Sequence, residues 1–433
     1  MRNNKKSVYL TTLGCDKNRV DAERILASFI ASGYIVEQSI LDADVIVINT
    51  CGFIDSAKKE SITTIFDALS VKEKTGAKVV VTGCLAERYK DALKNDIPEI
   101  DYILPLSKNG EICEIIGDVR VATDARVLTT PPHYAYLKIA DGCNNHCAFC
   151  AIPSIRGRYV STPIEEVVDE AKRLIRDFGV RELILVAQDV TRYGFDIYGR
   201  YALIDLLKEL VKLDVEWIRL MYLYPELVSD DLLEFIAKND KVCKYLDIPM
   251  QHASDKILST MCRRNTEADA RRLIERIRTI IPQAVIRSTF MVGFPTETED
   301  DFNTLVKFLQ DTQLDNVGFF AYSREEGTRS YTIKPQITQK IKNERLKKVF
   351  LTQQEIAFKN NRNKIGKTYT VLYEGIDDKK QLFVGRSYEN APDVDGKIYF
   401  KADFCPLVGE FYEVHITKAI GYDLFGEIKG EDK

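Results

Sequence analysis

The chain has 433 residues, enough for two or three domains with substantial hydrophobic cores. Lys and Arg number 61 and Asp and Glu number 65, so the net charge of −4 gives no general attraction to nucleic acid or to an anionic membrane. The polar N-terminus lacks the apolar core of a signal peptide, and no run of about 18 apolar residues occurs, so we expect a cytosolic protein without a membrane span. In that reducing compartment, ten cysteines indicate metal ligands, catalytic thiols or core residues rather than disulfides.

The first segment, residues 1–128, repeats a strand-like run followed by a helix-like stretch. Three β-rich runs, VYLTTLGC, ADVIVINTC and AKVVVTGC, end at Cys15, Cys51 and Cys84. The spacing between these cysteines is that of a βα unit. The pattern therefore predicts an open parallel α/β sheet covered by helices, with all three cysteines at the carboxyl ends of strands, where such sheets place their functional crevice.

The second segment, residues 133–335, contains six further β-rich runs separated by amphipathic helical patterns. The runs are YAYLKIADGC, ELILVAQD, WIRLMYLYP, YLDIPMQ, VIRSTFMVGFP and NVGFFAYS. Six βα units predict a (β/α)6 partial TIM-like barrel whose active site lies in the loops at the carboxyl ends of its strands.

Two shorter segments complete the chain. Residues 336–365 form a basic helical stretch, which we interpret either as a solvated linker helix or as a helix that faces RNA. Its apolar residues Leu346, Phe350 and Phe358 indicate that it also packs against something. Residues 366–433 are rich in short strands and predict a small antiparallel β-barrel of OB-like size.

The loop after the first strand of the second segment carries Cys143-x3-Cys147-x2-Cys150. Three thiolates can hold a 4Fe–4S cube by three irons and leave the fourth iron open to a substrate. The spacing, with Phe149 before its last cysteine, resembles that of radical S-adenosylmethionine (SAM) enzymes, in which the open iron binds SAM and an electron releases a 5′-deoxyadenosyl radical. The alternative is a structural zinc site with His146 as fourth ligand, although no second CxxC or HxxxH pair lies nearby.

The three strand-end cysteines predict a second metal centre. Taken singly, each would be a small buried hydrophobic residue. Because parallel strands lie about 4.8 Å apart, Cys15, Cys51 and Cys84 can reach one cluster, and glycines beside them allow close backbone approach. We therefore predict a second 4Fe–4S cluster with one open iron. The remaining cysteines show no such pattern and are expected to be core or surface thiols: Cys113, Cys243, Cys262 and Cys405.

The order of these features resembles the radical methylthiotransferase family over nearly the whole chain, with a three-cysteine N-terminal domain, a radical SAM core and a C-terminal TRAM domain. The resemblance implies an enzyme that replaces C–H by C–S–CH3. It implies that one SAM is the methyl donor and a second SAM is the source of the radical. It also implies an external electron donor such as a flavodoxin or ferredoxin, and we expect a monomer.

The resemblance further implies a set of SAM-binding residues. The stretch IPSIRGRYVS follows the cluster loop, and the other candidates lie in or after later strands. Each also has a purely structural explanation, because charged residues and Gly-Pro turns are common in barrel loops. The candidates are Phe149, Arg156, Gly157, Gln188, Asp189, Arg263, Arg287 and Gly293.

Two branches of the family differ in substrate: one modifies a tRNA adenosine, the other the β-carbon of an aspartate in the twelfth small-subunit ribosomal protein. The loop LGCDKNRVDAE resembles the ribosomal branch, except that Asp16 replaces a proline, and so does GRSYENAPDVDG, residues 385–396. Residues 366–433 contain nine Lys and Arg against thirteen Asp and Glu, which favours a basic protein over RNA.

We therefore predict methylthiolation of that ribosomal protein, either free or in the ribosome. The alternatives are the same chemistry on tRNA adenosine and a zinc-stapled RNA-binding protein without radical chemistry.

Overall fold

The computed structural model describes residues 5–428, so residues 1–4 and 429–433 of the predicted first and last segments lie outside the described residues. The chain forms two compact units. The first unit comprises Met1–Thr130, Asp141–Val160 and Ser323–Tyr331. The second unit comprises Pro131–Ala140, Ser161–Tyr322 and Thr332–Lys433. The predicted domain boundaries divide the sequence rather than these compact units, and they stay predictions.

Strands and helices are interspersed up to Arg362, and only strands follow it in the described residues. The strands are β1 (Ser7–Thr12), β2 (Ile35–Val36), β3 (Val45–Thr50), β4 (Lys78–Gly83), β5 (Tyr102–Ile103), β6 (Tyr134–Lys138), β7 (Ala140–Asp141), β8 (Val160–Ser161), β9 (Glu182–Val186), β10 (Trp217–Leu220), β11 (Val242–Asp247), β12 (Val285–Val292), β13 (Asn316–Ala321), β14 (Thr368–Asp377), β15 (Leu382–Arg386), β16 (Ile398–Lys401), β17 (Phe411–Ile420) and β18 (Asp423–Ile428).

The helices are α1 (Asp16–Ala31), α2 (Asp55–Thr75), α3 (Cys84–Asp96), α4 (Ile112–Ile115), α5 (Ile152–Arg156), α6 (Ile164–Phe178), α7 (Phe195–Tyr198), α8 (Leu203–Leu210), α9 (Asp230–Lys238), α10 (Asp255–Thr260), α11 (Glu267–Ile280), α12 (Glu299–Thr312) and α13 (Gln339–Arg362). Within residues 5–428, none of these helices has the length and apolar character needed to cross a bilayer.

The sheet of the first unit is parallel throughout, in the order β2-β1-β3-β4-β5. Its central strand β3 is buried on both faces. Ile46 and Ile48 pack under α2 and α3, while Val45 and Val47 pack under α1 and α4. This alternation is what a strand covered by helices on both sides requires, and the predicted open parallel sheet is confirmed.

The second unit contains an open sheet of six parallel strands, β6 followed by β9 to β13. All six predicted runs form strands and lie in chain order across the sheet, so the partial barrel is confirmed. Capping boxes begin two of the connecting helices, at Thr266 with Asp269 and at Thr298 with Asp301. These reciprocal side-chain bonds fix where the helices start and therefore where the preceding loops end.

The last segment forms a closed barrel in the order β14-β15-β16-β18-β17. Its pairings are antiparallel except for the parallel pair of β16 and β18. The predicted run FYEVHITKAIGYDLFGEI contains two strands, because the chain turns at Gly421, whose φ of +62° suits glycine. The predicted small barrel is thus confirmed, with one parallel pair added.

Helix α13 carries the basic stretch and packs within the second unit. The Lys342 Nζ donates to the Tyr322 carbonyl at 2.7 Å, and the Arg345 Nη1 pairs with the Glu297 Oε1 at 2.7 Å. Both basic side chains are buried. These two cations therefore serve internal packing, while others on the helix, such as Lys340 and Lys347, are exposed.

A buried ionic network joins the open sheet to the closed barrel inside the second unit. Glu182 at the start of β9 lies between the Arg219 Nε, at 2.7 Å, and the Arg386 Nη2, at 2.8 Å. The Arg386 Nε also pairs with Glu374 at 2.8 Å. Burial alone would raise the pKa of Glu182, but the two arginines outweigh it and hold that pKa below its ordinary value.

Replacing Arg386 with methionine should lower the free energy of unfolding by about 3 kcal/mol, because buried Glu182 and Glu374 lose a positive partner. Since the folded pKa of Glu182 is lowered, its stabilisation is present above the ordinary carboxyl pKa and lost as pH falls. The deficit should therefore shrink in acid. Urea unfolding at several pH values measures this, with exposed Lys401→Met as control. Equal stability of the two variants would contradict the role of the network.

Candidate functional site

Three cysteines lie at or just after the carboxyl ends of three neighbouring strands of the first unit. Cys15 is the N-cap of α1, Cys51 follows β3, and Cys84 is the first residue of α3 after β4. The register places Thr12 beside Asn49 and Thr50 beside Gly83, so the three strands end at one edge. The predicted placement of the cysteines at adjacent carboxyl ends is what the structure shows.

Two glycines allow the cysteine loops to pack backbone against side chain. Gly14 has a φ of +89°, and a Cβ there would lie 2.8 Å from both the Cβ and the Sγ of Cys51. A Cβ on Gly52 would lie 2.8 Å from the Leu85 nitrogen, directly after Cys84. Any larger residue would push the loops apart, so glycine is what lets the three thiols gather.

Asn18, in the first turn of α1, holds the strand ends together. Its Nδ2 donates to the Leu13 carbonyl at 2.7 Å and to the Thr50 carbonyl at 3.0 Å. The backbone carbonyl of Asn18 accepts a hydrogen bond from the Asn49 Nδ2 at 2.7 Å. One buried side chain thus fixes the loop before Cys15 to the end of β3.

The central cysteine loop belongs to the same compact unit. The Cys143 amide donates to the Gly157 carbonyl at 3.1 Å, and the Cys150 amide donates to the Cys147 carbonyl at 3.0 Å. The Asn145 amide points at the Cys143 Sγ at 3.4 Å. Backbone N–H groups directed at a sulfur stabilise thiolate character, as a cluster ligand requires.

Arg156, at the end of this loop, reaches towards the strand-end cysteines. Its Nη1 pairs with Asp141 at 2.9 Å, and its Nη2 pairs with Asp21 at 2.9 Å and donates to the Asn18 Oδ1 at 3.0 Å. The guanidinium side chain is only 2% exposed. Burial raises the pKa of the Cys84 thiol to about 12, and the cation of Arg156 opposes that rise.

A short strap, Ser323–Tyr331, joins both cysteine sites within this unit. Glu325 accepts from the Lys58 Nζ at 2.8 Å and from the Arg88 Nη1 at 2.9 Å. The same Arg88 atom donates to the Gly52 carbonyl beside Cys51. At the other end of the strap, the Ser330 amide donates to the Ala148 carbonyl inside the central loop.

Both triads suit a 4Fe–4S cluster in their chemistry. Each offers three thiols on loops where glycine and backbone N–H groups come close, and the cation of Arg156 suits an anionic cluster. Within the described part of the chain, no three His, Cys, Asp or Glu side chains converge on a single metal ion. A cube takes one thiolate at each of three irons, so its ligands need not converge on one point.

Three family models match successive parts of the chain: the uncharacterized protein family UPF0004 at residues 7–105, the radical SAM superfamily at 137–309 and the TRAM domain at 365–428. The ribosomal protein uS12 methylthiotransferase RimO of Thermoanaerobacter sp. (strain X514) is 44% identical over 98% of this chain and 100% of its own length. That of Clostridium botulinum (strain Eklund 17B / Type B) is also 44% identical, over 99% of both chains.

The chain belongs to the RimO family. It is therefore a radical SAM methylthiotransferase, and membership implies SAM and a 4Fe–4S cluster. The zinc-stapled RNA-binding alternative is thus wrong, and the resemblance to the ribosomal branch is confirmed.

Solved structures support the fold of this RimO-family chain. The radical SAM methyltransferase TsrM from Kitasatospora setae matches with a TM-score of 0.53 at 15% identity, covering 75% of this chain and 74% of its own. The cobalamin-dependent radical enzyme OxsB matches with a TM-score of 0.51 at 11% identity, covering 81% and 56%. At these identities the likeness concerns the fold alone.

The SAM-binding residues expected of a RimO-family enzyme fall in both units. In the first unit, Phe149 is half-buried between two cysteines, and Gly157 has a φ of +73°. In the second unit, Gln188 is half-buried after β9. Asp189 is fully buried and caps a 3-10 turn, where it accepts from the Thr191 hydroxyl at 2.5 Å.

The remaining SAM candidates also have structural partners. Arg263 stacks over the Tyr224 ring, 4.2 Å from its centroid. Arg287 pairs with Asp247 at 2.8 Å. The amide of Gly293 donates to the buried Glu297 carboxylate at 2.7 Å. The roles of all eight residues towards SAM stay predictions.

Sequence reasoning missed the residues that tie the cysteine loops together. Asn18 and Asp21 lie in LGCDKNRVDAE, which we used only to separate the two branches of the family. Their spacing of three residues places both on one face of α1, a signal that could have indicated a shared partner. Arg88 and Glu325 carry no local signal, because they lie far apart in sequence.

Replacing Glu325 with glutamine should lower the free energy of unfolding of the first unit by about 2 kcal/mol, because Lys58 and Arg88 lose their charged acceptor. Thermal unfolding of the iron-free protein measures the change. Glu326→Gln is the matched control, since Glu326 is exposed and contributes only its carbonyl to Arg88. Equal stabilities of the two variants would show that the strap does not depend on this carboxylate.

Proposed function

We propose that this chain inserts a methylthio group at the β-carbon of an aspartate in small-subunit ribosomal protein uS12, using two 4Fe–4S clusters and two molecules of SAM. The observation that carries the proposal is the gathering of both cysteine triads into one compact unit. A radical enzyme needs one triad, and sulfur insertion gives the second triad a purpose.

Cys143, Cys147 and Cys150 would hold the first cluster, and Cys15, Cys51 and Cys84 the second. When bound, the first supplies the electron that splits SAM into methionine and a 5′-deoxyadenosyl radical, and the second supplies the sulfur that a further SAM methylates. The chain's own residues do the positioning. Gly14 and Gly52 let the loops approach, Asn18 fixes the strand ends, and the eight candidate residues above would bind SAM.

The substrate class is supported by the charge of the C-terminal barrel and by the names of the relatives. Residues 366–433 carry four more acidic than basic residues, which repels RNA phosphates and attracts a basic protein. The relatives at 44% identity are named as uS12 methylthiotransferases. Both observations favour a ribosomal protein over a tRNA.

The remaining partners follow from this chemistry. Reduction of the first cluster needs an external electron donor, and a flavodoxin or a ferredoxin is the class we propose. We also propose a monomer that acts in the cytoplasm on uS12, either free or within the ribosome.

Iron content and product mass test the proposal together. The reconstituted wild type should hold about eight irons, and Cys15→Ala or Cys143→Ala about four, since each removes a ligand of one cluster. Both variants should fail to methylthiolate, whereas Cys405→Ala, at an exposed thiol outside the triads, should behave as the wild type. Deleting the gene should remove about 46 Da, a CH2S unit, from uS12. A loss from tRNA adenosine instead would favour the other branch.

Gly14→Ala should deplete the N-terminal cluster alone. Its Cβ would overlap the Cys51 Sγ, so about four irons should remain at the central cysteines. Gly117→Ala is the matched control, because Gly117 has a φ of +91° but open space around its Cβ position. Gly117→Ala introduces similar backbone strain without crowding a thiol, so this variant should keep about eight irons. Equal iron contents would contradict the role of Gly14.

A further inference from the structure

The side chain of Arg156 makes contacts well beyond its own loop. Its guanidinium bridges Asp141, which starts the central cysteine loop, and Asp21, on the first helix of the N-terminal sheet. A third contact goes to the Oδ1 of Asn18, whose Nδ2 holds the ends of β1 and β3. The same Oδ1 lies 3.9 Å from the Cys84 Sγ.

We propose that Arg156 is a positioning residue that locks the central cysteine loop to the N-terminal cysteine site. The inference rests on the proposed two-cluster function and adds a device that keeps the two triads in one fixed arrangement. Sulfur insertion requires that the 5′-deoxyadenosyl radical and the methylated sulfur both reach the same substrate carbon. A fixed arrangement of the two cysteine sites serves that requirement.

The chemistry of the side chain suits this role. A guanidinium is planar and presents several donors at fixed angles, so it can hold two carboxylates and an amide oxygen at once. Lysine keeps the charge but cannot reproduce that fork. The Arg156 side chain is 2% exposed and that of Asp21 is 10% exposed, so removing the guanidinium takes a charged donor away from a largely buried carboxylate.

The test separates positioning from SAM binding, the role that the sequence suggests for Arg156. It uses the full-length protein without SAM, both iron-free and reconstituted, and follows backbone hydrogen exchange by mass spectrometry. The variants are Arg156→Gln, Arg156→Lys and Asp21→Asn. Arg158→Gln is the matched control, since Arg158 is exposed and lies in the same loop.

Arg156→Gln should speed exchange by about tenfold in two separate segments, residues 142–158 and residues 16–23, while other segments keep their rates. Asp21→Asn should affect the same two segments, and lysine at position 156 should restore protection only in part. Arg158→Gln should leave both segments unchanged. In the reduced, reconstituted protein, Arg156→Gln should also alter the magnetic interaction between the clusters seen by electron paramagnetic resonance.

Unchanged exchange in both segments for Arg156→Gln and Asp21→Asn would overturn the proposal, because a residue that only binds SAM protects neither segment in its absence. If Arg156→Gln fails to fold, Asp21→Asn decides the matter, since it keeps the pair of Arg156 with Asp141. Failure of the proposed function has a different signature: a wild type with about four irons but with both segments linked through Arg156.

Discussion

A single buried guanidinium connects the two cysteine loops of the first unit. Removing Arg156 from water costs several kcal/mol, and the carboxylates of Asp21 and Asp141 with the amide of Asn18 offset that cost. Asn18 and Asp21 can both contribute because they lie three residues apart, on one face of α1. Helix α1 starts at Asp16, directly after Cys15. Its first turns therefore position both the Cys15 loop and the two side chains that bind Arg156.

Buried carboxylates paired with two cations each occur in both units. Glu325 joins the strap to α2 and α3 in the first unit, and Glu182 joins the open sheet to the closed barrel in the second. Such pairs add little net stability, because desolvation consumes most of the attraction. They do penalise every arrangement that leaves a charge unpaired. Their value lies in specifying which loops and strands meet.

The sequence predicts the strands and the cysteine edge because both depend on short-range patterns. A β-rich run that ends at a cysteine with a glycine beside it places the thiol at the end of a strand wherever the strand lies. The ion pair of Asp21 with Arg156 cannot be predicted in this way, because the two residues are 135 positions apart and no local pattern indicates that they pair. Asp189, in contrast, carries a local signal, because an aspartate before a 3-10 turn commonly caps that turn. We predicted a SAM-binding role for it and did not predict the cap.

The loop LGCDKNRVDAE illustrates how a family signature can describe the fold rather than the substrate. Asn18 binds the strand ends, Asp21 pairs with Arg156, and Glu23 pairs with Arg126. None of the three carboxylate or amide groups is left to recognise a protein or an RNA. For the function proposed above, a basic substrate would have to meet exposed negative charge elsewhere. The C-terminal barrel carries such charge, because its acidic side chains include the exposed Asp378, Asp393, Asp403 and Glu413.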